Sequence, residues 1–293
     1  MNKFAELYDD PAMLDAFETN HLEWPEVMLL NEMAGRDIEM LDIGIGAGRT
    51  SVFFLPVVKR YVGVDISSGM IGRSRKRIKS LDTAAKCELR VSGASTLRGF
   101  NPGSFDVVLF SLNGMDCIPV AERDDCIKAM MRVLRPGGRL VYSAHNIRYI
   151  GHYYRFRGPR GPLRRIMRPR TLMNELNRLR VNKAVNGPLE HYLDVGQAEF
   201  WDAFHDGRPD AKHVHIKPEF EVFRLESLGL VNVTARSRTD GRVISGAELC
   251  SNTDPWVYFF SNMPAQHPAC GFASRRPPAH LPRIPHPPPN SSP

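Results

Sequence analysis

The chain is expected to fold as an α/β protein, doubly wound around a mostly parallel sheet. An apolar strand through Leu41, Asp42 and Ile43 runs into a glycine-dense turn at Gly44, Gly46 and Gly48, a helix follows, and a second apolar strand ends on Asp65. That order is the front half of a nucleotide-binding α/β unit. Further along, apolar runs of strand length alternate with runs of helical periodicity, which implies a parallel sheet covered on both faces. The hydrophobic fraction of 42% over 293 residues suits one substantial core.

The elements follow from local pattern. Residues 11–34 read as helix from Met13, Leu14, Phe17, Leu22, Val27, Met28 and Leu29, interrupted near Pro25. A strand at 39–44, a helix at 49–59, a strand at 61–65 and a helix at 68–80 come next, the last capped by Ser67 or Ser68. Strands at 87–91 and 105–110, a helix at 121–134 and a strand at 138–144 complete the first alternation, and Pro136-Gly137 suits a type II turn between the last two. From 147 to about 215 the alternation is lost, apart from a helix expected at 171–182. It resumes with a helix at about 218–228 and strands at 231–237 and 255–260, which brings the sheet to seven strands. Between Pro264 and Pro293, ten of thirty residues are proline and none is acidic, so 263–293 is expected to be a disordered tail. The expected organisation is a core domain from 1–146 and 216–262, with 147–215 an inserted, partly helical basic cap.

The formal charge of +7 is unevenly placed: residues 148–183 hold eleven Lys/Arg and one acid, so that segment carries +10 and the rest about −3. The five cysteines, Cys87, Cys117, Cys126, Cys250 and Cys270, are scattered without a C-x-x-C pair, which argues against a disulfide framework or a zinc knuckle. With no apolar run near the roughly 18–20 residues of a membrane span, and no apolar stretch in the first residues, a cytoplasmic location is expected.

The spacing of the turn bears on the ligand. A dinucleotide fingerprint wants G-x-G-x-x-G, but Gly48 comes one residue early, Arg49 stands where the third glycine belongs, and Asp42 precedes the turn. A nicotinamide-dinucleotide oxidoreductase is disfavoured on that ground. Asp42-x-Gly44-x-Gly46-x-Gly48 before a helix, then Gly63-Val64-Asp65-Ile66-Ser67, resembles the class I S-adenosylmethionine (SAM)-dependent methyltransferases, whose fold is Rossmann-like. Ser104–Ser111, Arg132–Gly138 and Val141–Asn146 resemble that family's fourth strand, its turn into the fifth, and the end of the fifth. The likeness covers roughly residues 5–146 well and 215–261 more loosely.

The resemblance implies SAM as cofactor and a set of roles. Gly44, Gly46 and Gly48 let the backbone pass close to the amino-acid part of SAM, Asp42 anchors that loop or the ligand's ammonium, and Asp65 accepts both ribose hydroxyls. Ile66 and Met70 flank the adenine, or pack as ordinary core. After the third strand the family places an acid, where this chain has Gly93 beside Ala94, so a backbone group or the Ser95 hydroxyl takes the adenine contact. Ser111, Asn113 and Asp116 follow the fourth strand and His145 and Asn146 end the fifth, on the rim where methyl donor and acceptor meet. His145 is the residue type whose ordinary pKa suits a base near neutrality, or else a structural histidine.

Two features stay open. His213-Val214-His215, with His205 and Asp206 nearby, would put both imidazoles on one face of a strand, but no ligand spacing is completed and no metal is implied. The basic stretch reads as a solvated cap, as a recruiter of an anionic small molecule, or as a nucleic-acid or membrane surface, with Tyr149, Tyr153, Tyr154 and Phe156 among the arginines. The expected activity is methyl transfer from SAM to an oxygen or nitrogen of a small polar or anionic acceptor. An RNA methyltransferase using the basic cap and a non-catalytic SAM-binding protein are the alternatives.

Overall fold

A computed structural model describes residues 9, 21–79, 81, 84–156, 169–205 and 208–265. Among the described residues, ten strands form one sheet. β1 (Glu39–Ile43), β2 (Arg60–Asp65), β3 (Cys87–Val91), β4 (Phe105–Phe110) and β5 (Leu134–Asn146) precede β6 (Gln197–His205) and β7 (Arg208–Ile216). β8 (Val231–Ser237), β9 (Val243–Ile244) and β10 (Trp256–Asn262) follow. The main path runs β3-β2-β1-β4-β5-β10-β8-β9. The first five strands are mutually parallel, and β10 lies antiparallel to both β5 and β8. The chain moves outward from β1 through β2 to β3 and then returns to β4 on the other side of β1, which creates a topological switch point between β1 and β4.

Period-two alternation sorts the strand residues to two faces. Leu41, Ile43, Val62, Val64, Val108 and Phe110 join one buried cluster with Ile127 and Met130 of α4 (Arg123–Val133) and Leu225 of α6 (Pro218–Ser227). Met40, Tyr61, Val107 and Leu109 join the other, with Leu29 and Met33 of α1 (Trp24–Met33), Phe54 of α2 (Ser51–Phe54) and Ile78 of α3 (Ser68–Ile78). The strands expected at 87–91, 105–110 and 231–237 are observed at those bounds; of the three, only β4 is buried nearly throughout, as a near-continuous apolar run covered on both faces.

The sheet has more strands than the seven expected. β8 and β9 form a short antiparallel pair before α7 (Gly246–Ser251). Within 147–215, beyond a 3-10 helix (Ile147–Tyr154) and α5 (Pro169–Asn186), β6 and β7 form an antiparallel hairpin. β7 joins the end of β5 through His145↔His215 and Asn146↔Ile216. The helix expected at 49–59 is only α2; residues 21–23 are not helical, and Pro25 stands in the first turn of α1, where its missing N–H costs nothing. The expected helical residues 11–20 and, from 266 on, the expected tail lie outside the described residues.

Candidate active site

At the switch point the ends of β1, β2 and β4 surround a cavity of about 1000 Å³ including its open solvent mouth. The glycine turn is shaped by two contacts with β2. Gly44 and Ile45 N–H donate to the Val64 carbonyl at 2.7 and 3.2 Å, and Gly46 N–H donates to Asp65 Oδ2 at 2.9 Å. The other Asp65 oxygen accepts from Ser67 N–H at 2.9 Å. Burial pushes the Asp65 carboxyl above its usual range, against the pull of those amides. Asp65 therefore ties the turn to β2 and also faces the cavity. Of the residues singled out in the sequence, Asp42, Gly44, Gly46, Asp65, Ile66, Met70, Ala94 and Ser111 line it.

Gly48 and Gly93 are not among the lining residues. Gly48 sits at φ +85°, and a Cβ there would stand 3.1 Å from Ser74 Oγ and 3.4 Å from Ser74 Cα. Its role is to let α3 pack against the turn. Gly93 is exposed, and its neighbours Ser92 and Ala94 reach the cavity instead.

Beneath the turn lies a buried ionic lock that sequence reading does not assemble. Arg49 donates to both oxygens of Glu26 at 2.6 Å, and Glu26 Oε1 also accepts from the Ser111 hydroxyl and, at 3.2 Å, from Tyr258 OH. The lock joins α1, the glycine turn, β4 and β10. Asp42, at the end of β1, is fully enclosed and accepts from Thr50 Oγ1 and Tyr61 OH, both at 2.5 Å and both on Oδ2. Burial raises its carboxyl to about 6, although those hydroxyls and Arg49 pull the other way.

Asn113, Asp116 and His145 do not line the cavity; they stand behind its rim, where Gly114 and Cys117 do. The chain leaves β4 through two left-handed residues, Leu112 (φ +47°) and Asn113 (φ +61°). This conformation costs a side-chain-bearing residue about 1–2 kcal/mol, and Asn113 N–H holds it by donating to Ser143 Oγ at 2.8 Å. Asp116 Oδ2 accepts from the His145 backbone N–H at 2.6 Å and lies 2.9 Å from His145 Nδ1. His145 Nε2 is 3.3 Å from Asn113 Nδ2. Arg123, fully buried, backs Asp116 at 3.2 Å and reaches Glu221 at 3.4 Å, so Asn113, Asp116 and His145 are connected by one hydrogen-bonded network, while Ser111 belongs to the Glu26 lock and Asn146 bonds Asn252.

The β6–β7 hairpin adds a second polar group to the same rim. Asp202 lies 2.5 Å from His213 Nδ1 and 3.0 Å from His215 Nε2, and the His145 and His215 rings stack at 4.8 Å between centroids. Burial opposes charge on His213, but Asp202 and Cys117 override it and hold the imidazole up at about 11. Burial prevails at His215, which stays below its usual value. The alternation of His213 and His215 is legible in the sequence; their meeting with Asp202 and His145 is not.

A parallel sheet with its cavity at the switch point, a glycine turn and a carboxylate on the second strand is the arrangement at which open α/β sheets take their ligands. Residues 40–138 match the family model described as "Methyltransferase domain". Over 133 residues the chain is 28% identical to a ubiquinone biosynthesis O-methyltransferase of Xanthomonas euvesicatoria, covering 45% of this chain and 52% of that protein. Over 104 residues it is 32% identical to a demethylmenaquinone methyltransferase of Beutenbergia cavernae, covering 36% and 39%. The chain thus spans about half or less of these relatives' lengths. Among solved structures, the fold is similar to a SAM-dependent methyltransferase of Methanosarcina mazei (TM-score 0.53, 19% identity, covering 81% of this chain and 98% of that one). It is also similar to the glycopeptide N-methyltransferase MtfA in complex with SAM (TM-score 0.54, 16% identity, covering 85% and 96%). Among the described residues, no helix is long and apolar enough to cross a membrane.

Proposed function

We propose that this protein transfers a methyl group from SAM to an oxygen or nitrogen of a small polar or anionic acceptor. The observation that carries the reading is a glycine-lined cavity with two carboxylates, behind whose rim stands the His145–Asp116–Asn113 network. The cavity fits the cofactor. A Cβ built on Gly46 would have no atom within 4 Å, so the turn leaves open space where a ligand can lie against the backbone. Asp42 and Asp65 offer acceptors for an ammonium and a ribose diol, and Ile66 and Met70 offer apolar contact for a base. Bound SAM supplies a methyl group on a positively charged sulfur, ready for in-line displacement.

The chain's own residues then have two tasks. The turn and Asp65 fix the cofactor so that donor and acceptor meet in line, a placement that supplies much of the rate in such reactions. His145, oriented by Asp116, is fitted to take the acceptor's proton. The names of two relatives, a ubiquinone biosynthesis O-methyltransferase and a demethylmenaquinone methyltransferase, support a small-molecule acceptor.

Calorimetric titration with SAM, S-adenosylhomocysteine and NAD tests the reading. Saturable binding of the first two is expected, and Asp65→Ala should weaken it by about 1–3 kcal/mol, the scale of unpaired hydrogen-bonding groups. Binding of NAD alone, or unchanged affinity in the variant, would overturn the proposal.

A further inference from the structure

We infer that His145, Asp202 and His215 form a binding site for a first-row divalent metal ion behind the rim of the cavity. One ring nitrogen from each histidine and one carboxylate oxygen of Asp202 all lie within 4.8 Å of one another. An ion about 2.0–2.2 Å from each ligand needs them roughly 3–3.5 Å apart, so side-chain adjustments on the order of 1 Å close the site. The three residues come from separate strands: β5, β6 and β7. Two of them face each other directly in the sheet, as His145↔His215.

Two further observations point to a ligand. His215 is 0% exposed, and its Nδ1 has no hydrogen-bond partner among the described residues; the same holds for the buried Oδ1 of Asn113, whose Nδ2 faces His145. Buried polar atoms are seldom left unpaired, and such orphans mark sites where a water or an ion belongs. The surroundings also resemble a supporting outer shell. Asp116 holds the Nδ1 side of His145, and His213 holds the Oδ1 side of Asp202, and carboxylate–histidine contacts of this kind orient metal ligands. Two imidazoles with one carboxylate leave coordination positions open and favour zinc, iron, cobalt or manganese over magnesium or calcium.

The inference deepens the methyl-transfer reading and rests on it only for the ion's role, which is to hold an acceptor's oxygen and lower its pKa. In the loaded protein His145 would be a ligand, so the proton of the polarised hydroxyl would pass to solvent, and the oxygen would take the methyl as the sulfur–methyl bond breaks to leave S-adenosylhomocysteine. The acceptor is then a hydroxyl compound rather than an amine.

The test is titration of chelator-stripped protein with Co²⁺, read by visible ligand-field absorption, and with Zn²⁺, read by calorimetry. One equivalent should bind. Asp202→Asn and His215→Gln should each weaken binding at least about tenfold, while His191→Ala, at an exposed histidine on another element, should not. S-adenosylhomocysteine binding, measured on every variant, reports that the fold and the cofactor site remain. Absence of a saturable equivalent, or equal affinity in both ligand variants, overturns the metal site. If S-adenosylhomocysteine still binds in that case, the methyltransferase reading stands without it.

Discussion

Asp42 shows how a single buried carboxylate links stability to cofactor binding. Its folded-state pKa of about 6 lies above the ordinary 3.8, so the folded protein holds this proton more tightly than the unfolded chain does. The associated stability is complete below about 3.8 and is lost as pH rises through about 6. At about 1.4 kcal/mol for each tenfold change in proton affinity, the difference comes to about 3 kcal/mol. Asp42→Asn should therefore gain stability relative to the native protein between pH 5 and pH 8, measured by urea midpoints at both values; a gap that does not widen refutes it. Ligand affinity should move the other way. An ionised Asp42 attracts an ammonium, so S-adenosylhomocysteine should bind the native protein more weakly at pH 5 than at pH 7, with a flatter profile in the variant. At this scale the sequence shows Asp42, Asp65 and the glycines because the residues of a turn are neighbours in the chain. It does not show that Gly48 serves α3 packing, since that depends on Ser74.

Among elements, the ionic lock and the β6–β7 hairpin are the least legible. Arg49 is conspicuous in the sequence only as an interruption of a glycine pattern, and Glu26 reads as one more polar residue in a helix. Their pairing spans 23 positions and has no periodic signature. Both side chains are nearly or wholly buried, so Arg49→Met should cost on the order of 3–5 kcal/mol by stranding the carboxylate. Adding Glu26→Gln should restore a substantial part, read by chemical denaturation. A loss under about 1 kcal/mol in the single variant would mean that Glu26 finds another partner. The hairpin does have a signal. Asp206-Gly207 is a favoured two-residue hairpin dipeptide, lying between runs whose last paired residues are His205 and Arg208.

For the whole molecule, alternation and order of motifs make the parallel half readable, because a doubly wound sheet repeats one local rule. The second half departs from that rule: β10 is antiparallel, and the hairpin attaches through only two residue pairs. The charge distribution raises the question of an RNA acceptor. With a small-molecule acceptor, RNA should bind only in the non-specific range of about 10⁻⁴–10⁻⁶ M at physiological salt. Much tighter binding that falls steeply with added salt would favour the RNA reading.

The position of β10 also constrains how the molecule is assembled. Last in chain order among the described strands, it lies between β5 and β8, and its Tyr258 reaches Glu26 across 232 positions. During synthesis the cofactor loop can form early, but its buried wall stays open until residue 258 has left the ribosome. Contacts so distant along the chain close slowly. A nascent chain halted before β10 should therefore expose the edge of β5 to chaperones and capture cofactor poorly, making the final strand the step that commits the protein to a working site.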